Sequence, residues 1–184
     1  MSRKHDLLGA SSAARWMKCT PSARLYESYS DTQSQYAAEG TEAHDLAEKK
    51  LAYHLGKRNT KPNCNDYEMD EATDTYVDYV MERYKIANQD NTFIAIEQKV
   101  DYSRFVPEGF GTADVIIIAE NALQLIDLKY GKGVPVSAEE NSQLMLYGLG
   151  ALEMFGFIHD ITHLKLTIVQ PRFESYKHIR NNSR

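Results

Sequence analysis

The chain has 184 residues, of which 42% are hydrophobic and 26% are charged, and its formal net charge is −5. These values are ordinary for one globular domain and exclude wholesale disorder, and two cysteines are too few for a disulfide scaffold. No apolar run approaches the roughly 18 residues of a membrane span, and the charged start MSRKHDLLGASS does not resemble a secretory signal, so we expect a protein of the reducing cytoplasm.

Charge is distributed unevenly along the sequence. Residues 1–30 carry five basic and two acidic side chains, residues 157–184 carry the same numbers, and the middle is strongly acidic. An acidic middle between basic ends is compatible with a metal site flanked by anion-binding surfaces. On charge alone, solvated lysines and arginines at the two ends explain the pattern more simply.

The first half of the sequence predicts helices. In the first of them, Trp16 and Met17 are expected apolar contacts. In the second, Ala47 and Leu51 belong to an apolar series at helical spacing, and Gly56 ends the helix. Residues 23–37 show no clear period. The predicted helices cover residues 11–22, 38–55 and 69–87.

The second half changes to strand patterns. Residues 92–100 alternate, which predicts that Phe93, Ala95, Glu97 and Lys99 share one face. The run VIII within 111–119 indicates a strand buried on both faces. The whole order of elements predicts an α/β fold, with a central mixed β-sheet flanked by helices and a helical N-terminal half. The predicted elements after residue 119 are strands at 122–129 and 164–169 and a helix at 139–155.

Two predicted strands each contain a carboxylate. Asp114 and Asp127 would be costly to bury unless each has a partner or a cation. An ion pair between Asp127 and Lys129, two residues apart on one strand face, is the simplest explanation for either residue taken singly. A tight turn between the strands would instead bring both aspartates to the same end of the sheet, where hard oxygen ligands suit Mg²⁺ or Mn²⁺.

The same residues carry a resemblance to a known family. GTAD (Gly111–Asp114) followed by IDLK (Ile126–Lys129) resembles the signature of the PD-(D/E)XK nuclease superfamily. His44 in GTEAHDLAE resembles the helical histidine that precedes this signature in the RecB-like, lambda-exonuclease-like branch, and Gln143 and Tyr147 resemble its Q-x-x-x-Y helix. The segment SSAARWMKCTPSARL resembles the N-terminal segment of the same group, which includes phage- and prophage-borne RecB-like proteins.

The resemblance implies a restriction-endonuclease-like core and a metal-dependent deoxyribonuclease, expected as an exonuclease in phage DNA recombination or processing. The implied domain spans 1–184, with a mainly helical part at 1–90, a sheet core with the active site at 91–172 and a tail at 173–184. The implied ligands of Mg²⁺ or Mn²⁺ are His44, Asp114, Asp127 and the carbonyl of Leu128. Lys129 would orient the attacking water, acting with the two aspartates. The residues expected to contact DNA or support the site are Gln143, Tyr147, Glu97 and Arg15.

The sequence also departs from some relatives. Those relatives hold an iron–sulfur cluster with four cysteines, whereas this chain has only Cys19 and Cys64, so we expect no cluster, and we expect Cys19 to be a buried small residue. No Walker A loop is present, so any unwinding would need a partner.

The expected partners are DNA and a phage recombination or helicase protein, in the host-cell cytoplasm if the protein is phage-encoded, and a homo-oligomer stays open. Two alternatives also stay open. One is a catalytically idle protein of this fold that binds nucleic acid or a protein. The other is an unrelated α/β binding protein with a structural ion pair.

Overall fold

A four-stranded mixed sheet forms the centre of the computed structural model, which describes residues 7–27, 35–87 and 92–173. The strands lie side by side in their sequence order; the second strand is antiparallel to both the first and the third, and the last is parallel to the third. The predicted mixed sheet flanked by helices is confirmed. The elements are a 3-10 turn Ala10–Ser12, α1 Ala13–Trp16, α2 Pro21–Glu27, α3 Gln35–His54, α4 Tyr67–Ala87, β1 Phe93–Asp101, β2 Phe110–Ala119, β3 Ala122–Leu128, α5 Ser142–Phe155 and β4 His163–Val169.

Each face of the sheet carries its own hydrophobic core. On one face, the α3–α4 core joins Leu51 and Val80 to Val115 and Ile126 of the sheet. On the other face, the α5 core joins α5 and the N-terminal segment to the sheet, and its members are Trp16, Ile116, Ile118, Leu123, Leu125, Leu146, Tyr147 and Ala151, among others. The VIII run of β2 therefore feeds both cores, as its continuous apolar character predicts.

A buried lysine fixes α3 against α4. The side chain of Lys50 is 3% exposed, and its Nζ donates to the Thr73 hydroxyl at 2.9 Å, the Asp70 carbonyl at 2.8 Å and the Asp74 carboxylate at 2.6 Å. A buried ammonium is tolerated only when its N–H groups are satisfied, and here they are. The contacts hold α3 in place, and with it any side chain that α3 presents to the sheet.

Local sequence signals account for several helix ends. Gly56 follows α3 with a φ of +70°, a conformation that favours glycine. Asp66 accepts the backbone N–H of Met69 at the start of α4, and Asn141 accepts that of Leu144 at the start of α5. Such caps satisfy N–H groups that lack partners within the helix.

The predicted helix at 11–22 is wrong. The segment divides into the 3-10 turn, α1 and α2, because Pro21 cannot continue a helix but fits the first position of a new one. Trp16 is buried as expected, whereas Met17 is 52% exposed. Cys19 is also exposed, so the expectation of a buried small residue is wrong. Half of the aperiodic stretch 23–37 lies outside the described residues.

None of the described helices is both long enough and apolar enough to cross a bilayer. The predicted tail at 173–184 falls outside the described residues except for Phe173.

Candidate metal centre

Three carboxylates lie in one row across the sheet. Val115 pairs with Ile126, so the next position in the register places Asp114 opposite Asp127, as the tight turn between β2 and β3 predicts. On the other side of β2, the register places Glu97 of β1 opposite Asp114, between the pairs that flank this position. The row therefore brings one carboxylate from each of three strands to the same level of the sheet.

The row coincides with an irregularity in the first two strands. Glu97 has a φ of +47°, an uncommon and strained conformation for a non-glycine residue in a strand. In β1, Ala95 lies in the α5 core, and so does Val100, although strict alternation would place them on opposite faces. In β2, Ala113 lies in the α5 core and Val115 in the α3–α4 core, although they are two residues apart. Both strands therefore change faces at the row. For this reason the prediction that Glu97 and Lys99 share a face with Phe93 and Ala95 is wrong.

His44 reaches this row from α3. Its Nδ1 lies 3.3 Å from Oδ1 of Asp114, and the other oxygen of Asp114, Oδ2, accepts the backbone N–H of Leu128 at 2.7 Å. Ligand atoms of His44, Glu97 and Asp114 all lie within 4.8 Å of one another. Among the described residues, these three side chains form the group of histidine and acidic residues close enough together to share a metal ion, and Asp127 is not part of that group. Glu97, expected only as a supporting carboxylate, therefore lies in the centre itself.

Asp127 belongs to a second arrangement on the α5 side. Its Oδ2 lies 2.8 Å from Nζ of Lys129, although the alignment falls short of a hydrogen bond at that oxygen. The same Nζ donates to Oε1 of Gln143 at 2.9 Å, and the Gln143 amide donates to the Tyr147 hydroxyl at 3.4 Å. The Asp127–Lys129 ion pair that the sequence left open is thus present, but it is one part of a larger polar chain.

Burial and crowding shift the proton equilibria of the acidic groups. Burial, followed by the charge of Asp114, raises the pKa of Glu97 to about 7. The same two causes raise the pKa of Asp127 to about 6, against the opposing effect of Lys129. Burial lowers the pKa of His44, but its hydrogen bond to Asp114 and the neighbouring carboxylates outweigh burial, so the net shift is upward. Each shift reports excess negative charge in a poorly solvated place.

The donor set fits a divalent cation. Oxygen and nitrogen atoms about 2.1 Å from an octahedral ion lie roughly 3.0 to 4.2 Å from one another, and the 3.3 Å between His44 and Asp114 falls in this range. Three carboxylates against one ammonium give the ionised site a net charge of about −2, which a divalent ion would balance. Two or three carboxylates with one imidazole suit Mn²⁺ and also allow Mg²⁺.

A family model described as a protein of unknown function (DUF2800) matches residues 5–182, nearly the entire chain. The chain belongs to the DUF2800 family. No solved structure matches it.

The other predicted site residues of this DUF2800 member occupy different surroundings. Tyr147 is 7% exposed, and its ring packs so closely on β2 that a Cβ added at Gly111 would lie 2.5 Å from Cε1 of the ring. Tyr147 therefore supports β2 and presents little surface to solvent. A cavity borders the centre at His44, Glu97 and Lys129. Arg15, which lies on α1 in the N-terminal segment, does not line it. Leu128 lines that cavity, and its N–H is used by Asp114; its carbonyl as a metal ligand stays a prediction.

The sequence of this DUF2800 member did not indicate a structural role for Gln170. Gln170 is 7% exposed, and its amide makes three hydrogen bonds to the loop that follows Lys129: Nε2 donates to the carbonyls of Gly131 and Val134 at 2.6 and 2.9 Å, and Oε1 accepts the N–H of Val136 at 3.0 Å. A glutamine directly before Pro171 was the only available signal, and nothing in its local pattern distinguishes it from a loop residue.

Proposed function

We propose that this chain is a divalent-metal-dependent nuclease that hydrolyses phosphodiester bonds in DNA, and, more finely, an exonuclease of phage DNA recombination or processing. The observation that carries the proposal is the row of Glu97, Asp114 and Asp127, with His44 next to Asp114 and Lys129 next to Asp127. Nothing in the hydrophobic packing requires this charge, and ionised carboxylates so close together repel one another unless a cation is bound.

The residues divide the work between holding the cation and handling the substrate. His44, Glu97 and Asp114 would hold the ion, with Asp127 completing the site from the next strand. Leu128 keeps Asp114 in place through the hydrogen bond to Oδ2, which leaves Oδ1 directed toward His44. When bound, a divalent ion supplies charge stabilisation to the phosphate and lowers the pKa of a coordinated water.

In this proposal Lys129 acts on the substrate. Its ammonium has three N–H groups: one donates to Gln143, and Asp127 lies 2.8 Å from Nζ as an ion-pair partner, so at least one N–H can reach a water molecule or a phosphate oxygen. The two partners fix the position of Nζ, and Tyr147 supports Gln143 from the next turn of α5. A fixed cation next to a phosphate stabilises the negative charge that grows in the transition state.

Digestion of DNA tests the proposal directly. Purified protein is incubated with end-labelled linear, nicked and closed circular DNA in Mg²⁺ or Mn²⁺, beside the Asp114→Asn variant and a matched control, Glu42→Gln, at an exposed position of the same helix as His44. We expect metal-dependent cleavage of linear DNA by the wild type and the control and none by Asp114→Asn. An exonuclease spares the closed circle. Absence of cleavage on every substrate, with Mn²⁺ still bound, would favour the catalytically idle alternative.

A further inference from the structure

A cavity of about 490 Å³ adjoins the candidate metal centre. Its volume falls in the range of roughly 300–1,000 Å³ that is usual for ligand pockets. Gly40, Thr41 and His44 of α3 form one wall, the loop 130–136 forms the other, and Leu128 and Lys129 lie between them. The cavity therefore borders the centre through His44, Glu97 and Lys129.

The loop wall is held in a defined position. Gln170 uses both of its amide N–H groups and its oxygen on this loop, and it is almost completely buried while doing so. Tyr130, at the start of the loop, packs beneath the guanidinium of Arg172 at 4.2 Å from the ring centroid. A wall fixed from behind in this way is preorganised to receive a ligand.

Three glycines open toward this space. A Cβ at Gly40, Gly131 or Gly133 would meet no atom within 4 Å, and none of the three has a positive φ. Neither crowding nor backbone conformation therefore requires glycine at these positions. Gly40 also lies inside a helix, where glycine is destabilising relative to alanine. Without side chains at these positions, a ligand can approach the backbone closely on both walls.

The chemistry of the lining is asymmetric. Charged side chains, namely His44, Glu97 and Lys129, stand at the end next to the centre. Away from it the lining consists of glycines, Tyr130, two valines and the amide of Gln170, which is engaged with the loop. A complementary ligand has an anionic group at one end and a flat, uncharged, partly apolar body at the other. A nucleotide has this form, with the phosphate at the metal and the nucleoside in the cavity.

We propose that this cavity is a subsite for one nucleoside of the substrate strand, the one attached to the phosphate at the metal centre. The proposal rests on the nuclease function proposed above and adds the substrate unit that the centre recognises. A single-nucleoside pocket between fixed walls admits an unpaired nucleotide, so the substrate class is a strand end or a single strand.

Binding of mononucleotides to the full chain tests the subsite without requiring catalysis. The probes are inorganic phosphate, thymidine, and thymidine 5′- and 3′-monophosphate, each titrated calorimetrically with Mn²⁺ present. We expect the better of the two nucleotides to bind at least tenfold more tightly than phosphate. Gly40→Leu, which fills the cavity, should weaken nucleotide binding at least tenfold and change the affinity for Mn²⁺ less than twofold. Ala38→Leu is the matched control, because this exposed position two residues earlier points away from the same helix face.

Gly133→Leu on the opposite wall decides the matter if Gly40→Leu does not fold. Equal affinity for phosphate and both nucleotides, or unchanged nucleotide affinity in the filled variants, would overturn the subsite and leave the nuclease proposal standing. Nucleotide binding that the filled variants lose, in a protein that cleaves no DNA, would support the subsite and refute the nuclease function.

Discussion

Replacing Glu97 by glutamine should stabilise the metal-free protein. Because the folded state raises the pKa of Glu97 from 4.5 to about 7, it holds a proton that the unfolded state has released. Stability from the protonated form is therefore fully present below the unfolded pKa and is lost as the pH rises through 7. At pH 8 the ionised side chain opposes folding, and Glu97→Gln removes that cost.

The size of the effect follows from the shift in pKa. The difference between a pKa of 4.5 and one of about 7 corresponds to at most about 3.4 kcal/mol, and because Glu97 is only half-buried, solvent screening reduces our expectation to about 1–2 kcal/mol. For a chain of this length, that gain raises Tm by roughly 2–8 °C. The gain should shrink steadily as the pH falls from 8 towards 5.

Thermal and urea unfolding in EDTA across this pH range measures the gain, with Glu42→Gln as the exposed control. Adding Mn²⁺ should reverse the order of stability, because the wild type gains binding free energy that the variant has lost. If Glu97→Gln is no more stable than the wild type at pH 8, or if its advantage does not vary with pH, the assignment of Glu97 to a crowded anionic centre is wrong.

Four substitutions and one pH titration of the wild type probe the rest of the centre. Asp127→Asn should abolish cleavage with the fold intact and, in EDTA, raise Tm at pH 8, whereas near-normal cleavage in Mg²⁺ would remove Asp127 from the site. Lys129→Ala should lose most activity while calorimetric Mn²⁺ affinity stays within a few-fold, and loss of metal binding would assign it a structural role. His44→Ala should weaken Mn²⁺ binding and reduce activity more in Mg²⁺ than in Mn²⁺; parallel dose curves for the two metals would retire the ligand role. In the wild type, Mn²⁺ affinity should fall as the pH drops through the raised pKa of His44, because a protonated imidazole cannot coordinate. Gly111→Ala places a methyl group 2.5 Å from the Tyr147 ring, so it should cost about 1–3 kcal/mol in urea unfolding and lower kcat with Mn²⁺ affinity retained; unchanged stability would show that the ring moves aside freely.

The length of each turn explains which part of the centre the sequence could predict. Only Glu120 and Asn121 separate β2 from β3, so the turn itself sets the register that aligns Asp114 with Asp127. Eight residues separate β1 from β2, and that distance leaves the register undetermined, so Glu97 could not be aligned with Asp114 beforehand. The pairing of Asp127 with Lys129 could be predicted because the two residues are only two positions apart in the sequence, at the end of β3 and just beyond it.

The periodicity of apolar residues predicted the helices and strands correctly wherever the backbone is regular. Alternation predicted β1 as a strand but assigned the wrong face beyond Glu97, because it assumes uniform extended backbone and Glu97 adopts a left-handed one. The contacts of Gln170 were equally inaccessible, since they join residues more than 30 positions apart through a loop without a repeating pattern. The helices α3 and α4 were predicted closely because their buried faces repeat over many turns.

The position of the carboxylate row between the two cores also has a mechanical consequence. Val115 packs into the α3–α4 core and its neighbour Ile116 packs into the α5 core, so the strand that carries Asp114 contacts the helices on both faces of the sheet. A small slide of α3 over the sheet would alter the distance from His44 to Asp114 directly, whereas a slide of α5 would act on Lys129 through Gln143. The centre thus connects the two layers. An ion that binds His44 and the carboxylate row together would restrain the motion of the layers relative to each other and slow hydrogen exchange in both cores.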